Sequence, residues 1–157
     1  MYLIFDTETT GLPKKWNAPI TDTDNWPRCV QLAWQLHDNN GKIISDSSCL
    51  IKANDFDIPF ESEKIHGIST ELSKQIGLEL DDVLKSFLSD LNQAKYIIGH
   101  NLKFDLNIIR AELYRSKLED TLKDKTVLDT CTEKTASLCK IEGGRSGKFK
   151  FPTLIEL

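Results

Sequence analysis

Tyr2-Leu3-Ile4-Phe5 runs without a break into Asp6-Thr7-Glu8-Thr9-Thr10-Gly11. The first four residues read as a short buried strand, and a polar run takes over at Asp6. In extended chain, residues i and i+2 point to the same side, which aims the Asp6 and Glu8 carboxylates at one place. Two like charges held together raise each other's proton affinity unless a cation neutralises them. A hard divalent ion such as Mg²⁺ prefers an oxygen-only site of this kind. Gly11 lets the backbone turn tightly and leaves room for a ligand. Read for structure alone, the same residues are a strand end followed by a turn rich in Asp and Thr.

Outward from this stretch, residues 13–28 carry Pro13, Pro19 and Pro27 among Asn and Asp and read as a long loop. Loops longer than about 12–15 residues in a compact domain are usually functional or mobile. Trp16 and Trp26 in it either stack on bases or anchor it. Cys29 to His37 alternates apolar and polar residues as a half-buried strand, Asp38-Asn39-Asn40-Gly41 is a turn, and Lys42 to Ile51 closes a hairpin. Ser69 caps a short helix with Glu71 in its first turn. Leu80, Val83, Leu84, Phe87, Leu88 and Leu91 line one face of an amphipathic helix. Tyr96-Ile97-Ile98 is a strand stopped by Gly99, Leu102 to Tyr114 a helix, Thr126-Val127-Leu128 a last strand and Thr130 to Cys139 a helix. The stretch 143–150 reads as a loop, and a further helix begins near Thr153. Three strands followed by alternating helix and strand make an α/β domain with an antiparallel hairpin edge and parallel inner strands.

A second group of candidates lies in Gly99-His100-Asn101-Leu102-Lys103-Phe104-Asp105. Asp105 falls in the first turn of a helix, where the dipole favours its ionised form. It shares a stripe with Leu102, Ile108 and Ile109, and a carboxylate on an apolar face is costly unless paired or bound to metal. Asn101 either caps this helix or touches substrate, and His100 reads first as a satisfied histidine at a strand end. A third, weaker group is Glu61 with His66-Gly67-Ile68, which by itself reads as a loop packed by Ile65 and Ile68.

The chain has 157 residues, one domain's worth, and a domain of that size buries roughly 68–70% of its unfolded surface. Hydrophobic residues at 39% and charged residues at 28% exclude a disordered tail, a fibrous repeat and a membrane protein. No basic leader or cleavage site follows Met1. Cys29, Cys49, Cys131 and Cys139 have no zinc-like spacing and read as reduced thiols, which points to the cytoplasm. The net charge of -4 argues against a large basic face for duplex DNA. A small basic run (Lys140, Arg145, Lys148 and Lys150 against Glu142) sits near the C-terminus.

Taken together these segments resemble the DEDD-type proofreading 3′–5′ exonucleases of the RNase H-like superfamily, typified by the epsilon subunit of DNA polymerase III. Asp6-Thr7-Glu8-Thr9-Thr10-Gly11 matches the first family motif and His100-Asn101-Leu102-Lys103-Phe104-Asp105 the second. The His66-Gly67-Ile68 turn and Phe151-Pro152-Thr153-Leu154 are also similar to the family. The resemblance implies a mixed five-stranded sheet, antiparallel in its first three strands and parallel afterwards, flanked by helices. It implies two divalent ions, Mg²⁺ or Mn²⁺, held by Asp6, Glu8 and Asp105, and substrate contacts from Thr9, Leu12, Glu61, His66 and Asn101. The expected substrate is a single-stranded DNA or RNA 3′ end, with a DNA polymerase subunit as a further partner and no membrane.

The family's third motif, a His or Tyr followed by an Asp beyond the late helix, has no match. Asp129 falls where the family has a structural Asp-Thr. The expectation is therefore a single exonuclease domain, residues 1–157, truncated before its third motif, with its last helix missing and its activity weak or absent. Two rival readings keep the same fold: an RNA-trimming exoribonuclease, and a non-catalytic nucleic-acid-binding or polymerase-docking module.

Overall fold

Strand β1 (Tyr2–Thr9) is the middle of a five-stranded sheet in a computed structural model that describes residues 1–144 and 148–156. β2 (Cys29–His37) pairs antiparallel with it, and β3 (Ile43–Leu50) pairs antiparallel with β2. On the other side β4 (Tyr96–Gly99) and then β5 (Thr126–Asp129) add parallel strands, giving the order β3-β2-β1-β4-β5. The mixed sheet expected from the sequence is present.

The strand expected to stop at Phe5 continues through the polar motif to Thr9, because β2 pairs with it the whole way: Asp6 faces Ala33 and Glu8 faces Gln31 before the register shifts at Glu8/Thr9. Alternation along β1 buries Leu3, Phe5, Thr7 and Thr9 while Ile4 and Asp6 stay exposed and Glu8 half-buried. The buried face packs on helix α3 (Leu80–Gln93), where Phe87 meets Phe5 and Trp34 edge-on at 5.4 and 5.6 Å.

The helices are α1 (Phe60–His66), α2 (Thr70–Ile76), α3 (Leu80–Gln93), α4 (Lys103–Arg115) and α5 (Glu133–Cys139). α1 corrects the loop expected there. Pro59 stands just before it and Gly67, at φ 76°, takes the left-handed position just after it, an asymmetry that marks both ends of a helix. Ile65 does not pack but is 84% exposed, whereas Ile68 is buried with Val30 and Ile58. Ser69 caps α2 as expected, its hydroxyl accepting the Leu72 N–H. α5 begins at Glu133 rather than Thr130, since Thr132 accepts the Thr135 N–H and sets the start.

The helix expected near Thr153 is a single turn, in which Glu156 N–H reaches the Thr153 carbonyl at 3.0 Å. One turn fixes several dihedrals for one hydrogen bond and is unfavourable without packing; Ile155 beside it is 98% exposed. In the small basic run Lys148 pairs with Glu133 and Lys150 with Glu156; Arg145 lies outside the described residues. Among the described residues no helix is long and apolar enough to cross a membrane.

Candidate active site at the ends of two parallel strands

β1 and β4 run parallel, so their C-terminal ends open on the same side, where ligands bind in open α/β sheets. β4 pairs only with Tyr2 to Ile4, which leaves the β1 edge unpaired further along. Asp105, in the first turn of α4, fills that edge: its Oδ1 accepts the Thr7 N–H at 3.1 Å and the Thr7 hydroxyl at 2.5 Å. The turn between β4 and α4 is tight. A side chain on Gly99 would put its Cβ 2.4 Å from Leu102 Cδ1, in the core. Asp129 at the end of β5 holds the same turn, one oxygen accepting Asn101 N–H and Cys131 N–H, the other Leu102 N–H. Asn101 therefore does not cap α4 with its side chain; it sits at φ 57° in the turn that the Asp129 carboxylate holds.

The Asp6 charge reaches both other carboxylates, Asp105 and Glu8. Burial raises the Asp105 pKa to about 6, against the Thr7 hydroxyl that lowers it, and the Asp6 charge adds to the rise. Asp6, on the open face but partly desolvated by its surroundings, is raised as well, against the Thr7 amide that lowers it. Glu8 is raised by burial and then by Asp6, while His66 pulls the other way. Among the described residues no three His, Cys, Asp or Glu side chains are gathered closely enough to hold an ion as they stand. The chemistry of the donors nevertheless fits a hard divalent cation. All are carboxylate oxygens short of a counter-charge, and Asp105 takes both Thr7 bonds on Oδ1, with no hydrogen bond to Oδ2 among the described residues.

The remaining sequence candidates fall at different distances from this centre. His66 ends α1 near enough to Glu8 to favour its ionised form. Its Nδ1 accepts the Ile68 N–H at 3.1 Å, which leaves the proton of the neutral ring on Nε2, and Nε2 is buried without a partner among the described residues. Glu61 starts the same helix but turns to solvent, paired with Lys64 at 2.9 Å. The Thr9 hydroxyl is committed to the Gly11 carbonyl at 2.8 Å, and Leu12 just beyond is 73% exposed. His100 bonds Thr130 Oγ1 at 2.9 Å, the satisfied strand-end histidine its position suggested.

One buried group was missed. Glu112 on α4 is fully buried, accepts Cys29 N–H at 2.8 Å and Arg28 Nε at 3.1 Å, and faces Arg115 at 3.2 Å. Arg115 in turn donates to the Thr23 and Trp26 carbonyls, so this cluster fastens the 13–28 loop to α4. The signal was available: Glu112 follows Asp105 by two helical turns and Ile109 by one, on the stripe already marked as buried.

The sequence and fold have known counterparts. The RNase_T exonuclease family model matches residues 3–140. The DNA polymerase III subunit epsilon of Rickettsia conorii is 30% identical over 119 residues, covering 75% of this chain and 46% of the relative. That of Rickettsia typhi is 32% identical over 111 residues, covering 71% and 43%. The chain thus spans less than half of these relatives. Among solved structures, E. coli Exonuclease I in complex with a 5cy-dT13 oligonucleotide superposes with a TM-score of 0.71 at 19% identity, over 96% of this chain and 34% of that one. The Exonuclease I/SSB-Ct complex superposes at 0.70 and 18% identity, with the same coverage. At these identities the likeness is one of fold.

Proposed function

Because this chain belongs to the RNase_T exonuclease family, we propose that it is a 3′–5′ exonuclease domain that removes nucleoside monophosphates from single-stranded or frayed 3′ ends, in DNA proofreading or repair. The observation that carries this reading is the Thr7–Asp105 bond, which brings a third carboxylate against the strand bearing Asp6 and Glu8. In this reading Asp6, Glu8 and Asp105 hold two divalent ions, Mg²⁺ or Mn²⁺. Such ions neutralise the carboxylates and supply Lewis-acid stabilisation of the scissile phosphate.

The protein's own share is positioning. Thr7 fixes the Asp105 carboxylate, and Asp129 fixes the turn that delivers it. Leu12, Thr9, His66 and Asn101 are assigned to the terminal nucleotide in this reading, and Glu61, now turned to solvent with Lys64, would have to turn inward to join them. His66 is engaged at Nδ1 by the Ile68 amide, and His100 bonds Thr130 Oγ1 through Nδ1. The epsilon relatives are named as DNA polymerase III subunits, which supports a polymerase partner. All four cysteines are free, which suits a cytoplasmic setting.

The test is a long incubation of 5′-labelled single-stranded DNA and RNA with Mg²⁺ or Mn²⁺, comparing the wild type with Asp6→Asn. Stepwise shortening from the 3′ end that needs metal and Asp6 supports the reading, and faster loss of RNA moves the assignment to an exoribonuclease. Mn²⁺ binding with no shortening at any enzyme concentration leaves the non-catalytic module.

A further inference from the structure

The 13–28 loop is held too firmly to be a passive connection. Asn25, 5% exposed, clamps its start with both ends of its side-chain amide, accepting Lys15 N–H at 2.7 Å and donating to the Lys15 carbonyl at 3.0 Å. Trp26 is buried and donates to the Pro19 carbonyl at 3.1 Å, and Arg115 grips the far end. What this scaffold presents is Trp16, the residue after the clamp, which is 50% exposed. Its ring lies 5.9 Å from that of Phe104, tilted by 55°, and Phe104 adjoins Asp105 in the sequence. Exposed Lys14 and Lys15 precede Trp16, exposed Lys103 precedes Phe104, and exposed Leu12 lies between the loop and the carboxylate strand.

We propose that Trp16, backed by Phe104, is a stacking platform for an unpaired base of the strand close to its 3′ end, with Lys14, Lys15 and Lys103 meeting the adjoining phosphates. An aromatic face accepts any base, and cations beside it follow the backbone, a combination suited to single strands without sequence preference. Firm anchoring of the loop matters because a platform ordered in advance does not lose freedom when the strand binds. The proposal rests on the reading of the carboxylate site as a 3′-end site.

The experiment measures binding of a single-stranded oligothymidylate with phosphorothioate 3′-terminal linkages, in Mn²⁺, to the wild type, Trp16→Ala and Trp16→Phe, with a blunt duplex as control. Trp16→Ala is expected to weaken single-strand binding roughly 5- to 150-fold, Trp16→Phe to restore most of it, and neither to change duplex binding. Because Trp26 and Trp34 are buried, quenching of tryptophan fluorescence by the oligonucleotide should also vanish in Trp16→Phe while its affinity persists. Metal-dependent binding of equal strength in the wild type and Trp16→Ala overturns the platform and leaves the 3′-end reading standing. A lower melting temperature in Trp16→Ala with unchanged affinity does the same, making Trp16 an anchor. No metal-dependent binding by the wild type overturns both.

Discussion

Thr7 and Asp105, 98 residues apart, share two hydrogen bonds to one carboxylate oxygen, from the Thr7 amide and from its hydroxyl. The amide is free for this because β4 leaves the β1 edge beyond Ile4. The alternation that aims Asp6 and Glu8 at the open face sends the Thr7 side chain to the opposite, helix-facing side. A single strand thus supplies two carboxylates and the group that orients a third.

Removing the Thr7 hydroxyl while keeping its shape and amide is therefore expected to weaken metal binding. Groups that orient a metal ligand are typically worth about 10–100-fold in affinity. Thr7→Val should show a loss of that order in calorimetric titration with Mn²⁺, and Thr7→Ser should recover it. Equal affinity in Thr7→Val and the wild type would detach Asp105 from the metal site.

Proton linkage gives a second expectation. Asp105 titrates at about 6 in the folded protein against an ordinary 3.8. Between those values the folded chain binds more protons than the unfolded one, so metal-free stability falls as pH rises through this window. The raised pKa values of Asp6 and Glu8 act in the same direction. Asp105→Asn removes the largest part, so the melting-temperature difference between variant and wild type, measured with chelator present, should shift in the variant's favour from pH about 4 to about 6. Mn²⁺ affinity should rise over the same interval, because the ligands must lose their protons. A difference that stays constant with pH removes the burial of Asp105 as its cause.

Glu112 carries the third. It is fully buried between Arg28 and Arg115, and deleting one partner of a buried ionic group leaves the others uncompensated, at a cost of about 3–5 kcal/mol. Urea unfolding of Glu112→Ala should show a loss of this size. Loss of less than about 1 kcal/mol, the scale of a surface pair, would mean that solvent reaches the cluster.

Most of the sheet was legible because its strands carry their own period and β2 emerges from the alternation with both ends correct. The polar half of β1 was not, since its strand character comes from pairing with β2 rather than from its own residues. α1 was hidden by exposed Ile65 and a weak apolar stripe, though Pro59 and Gly67 bracket it. In the site, the spacing of Asp6 and Glu8 and the stripe position of Asp105 pointed to paired carboxylates. The Thr7 and Asp129 contacts are long-range hydrogen bonds with no local pattern to announce them. Glu112 could have been found by applying the burial argument for Asp105 two turns further along α4.

The last expectation concerns His66. Its Nδ1 is fixed by the Ile68 amide, so a neutral ring carries its proton on Nε2, a buried donor with no partner among the described residues. A buried polar group left unpaired costs about 1–3 kcal/mol, which a ligand oxygen would relieve. When protonated the ring favours ionised Glu8, so the end of α1 lies within electrostatic reach of the carboxylate set. A nucleoside 5′-monophosphate offers such an oxygen together with a phosphate to bridge metal, so it should bind only with Mn²⁺ present and lose about 5- to 150-fold in His66→Ala, the fold equivalent of that cost. Glu61 faces solvent with Lys64, and Glu61→Ala should weaken the nucleotide only if α1 turns it inward on binding. Calorimetry of the nucleotide with and without Mn²⁺ reads both. Affinity that is the same with chelator, or that His66→Ala leaves intact, would place the nucleotide in a pocket away from Glu8 and His66.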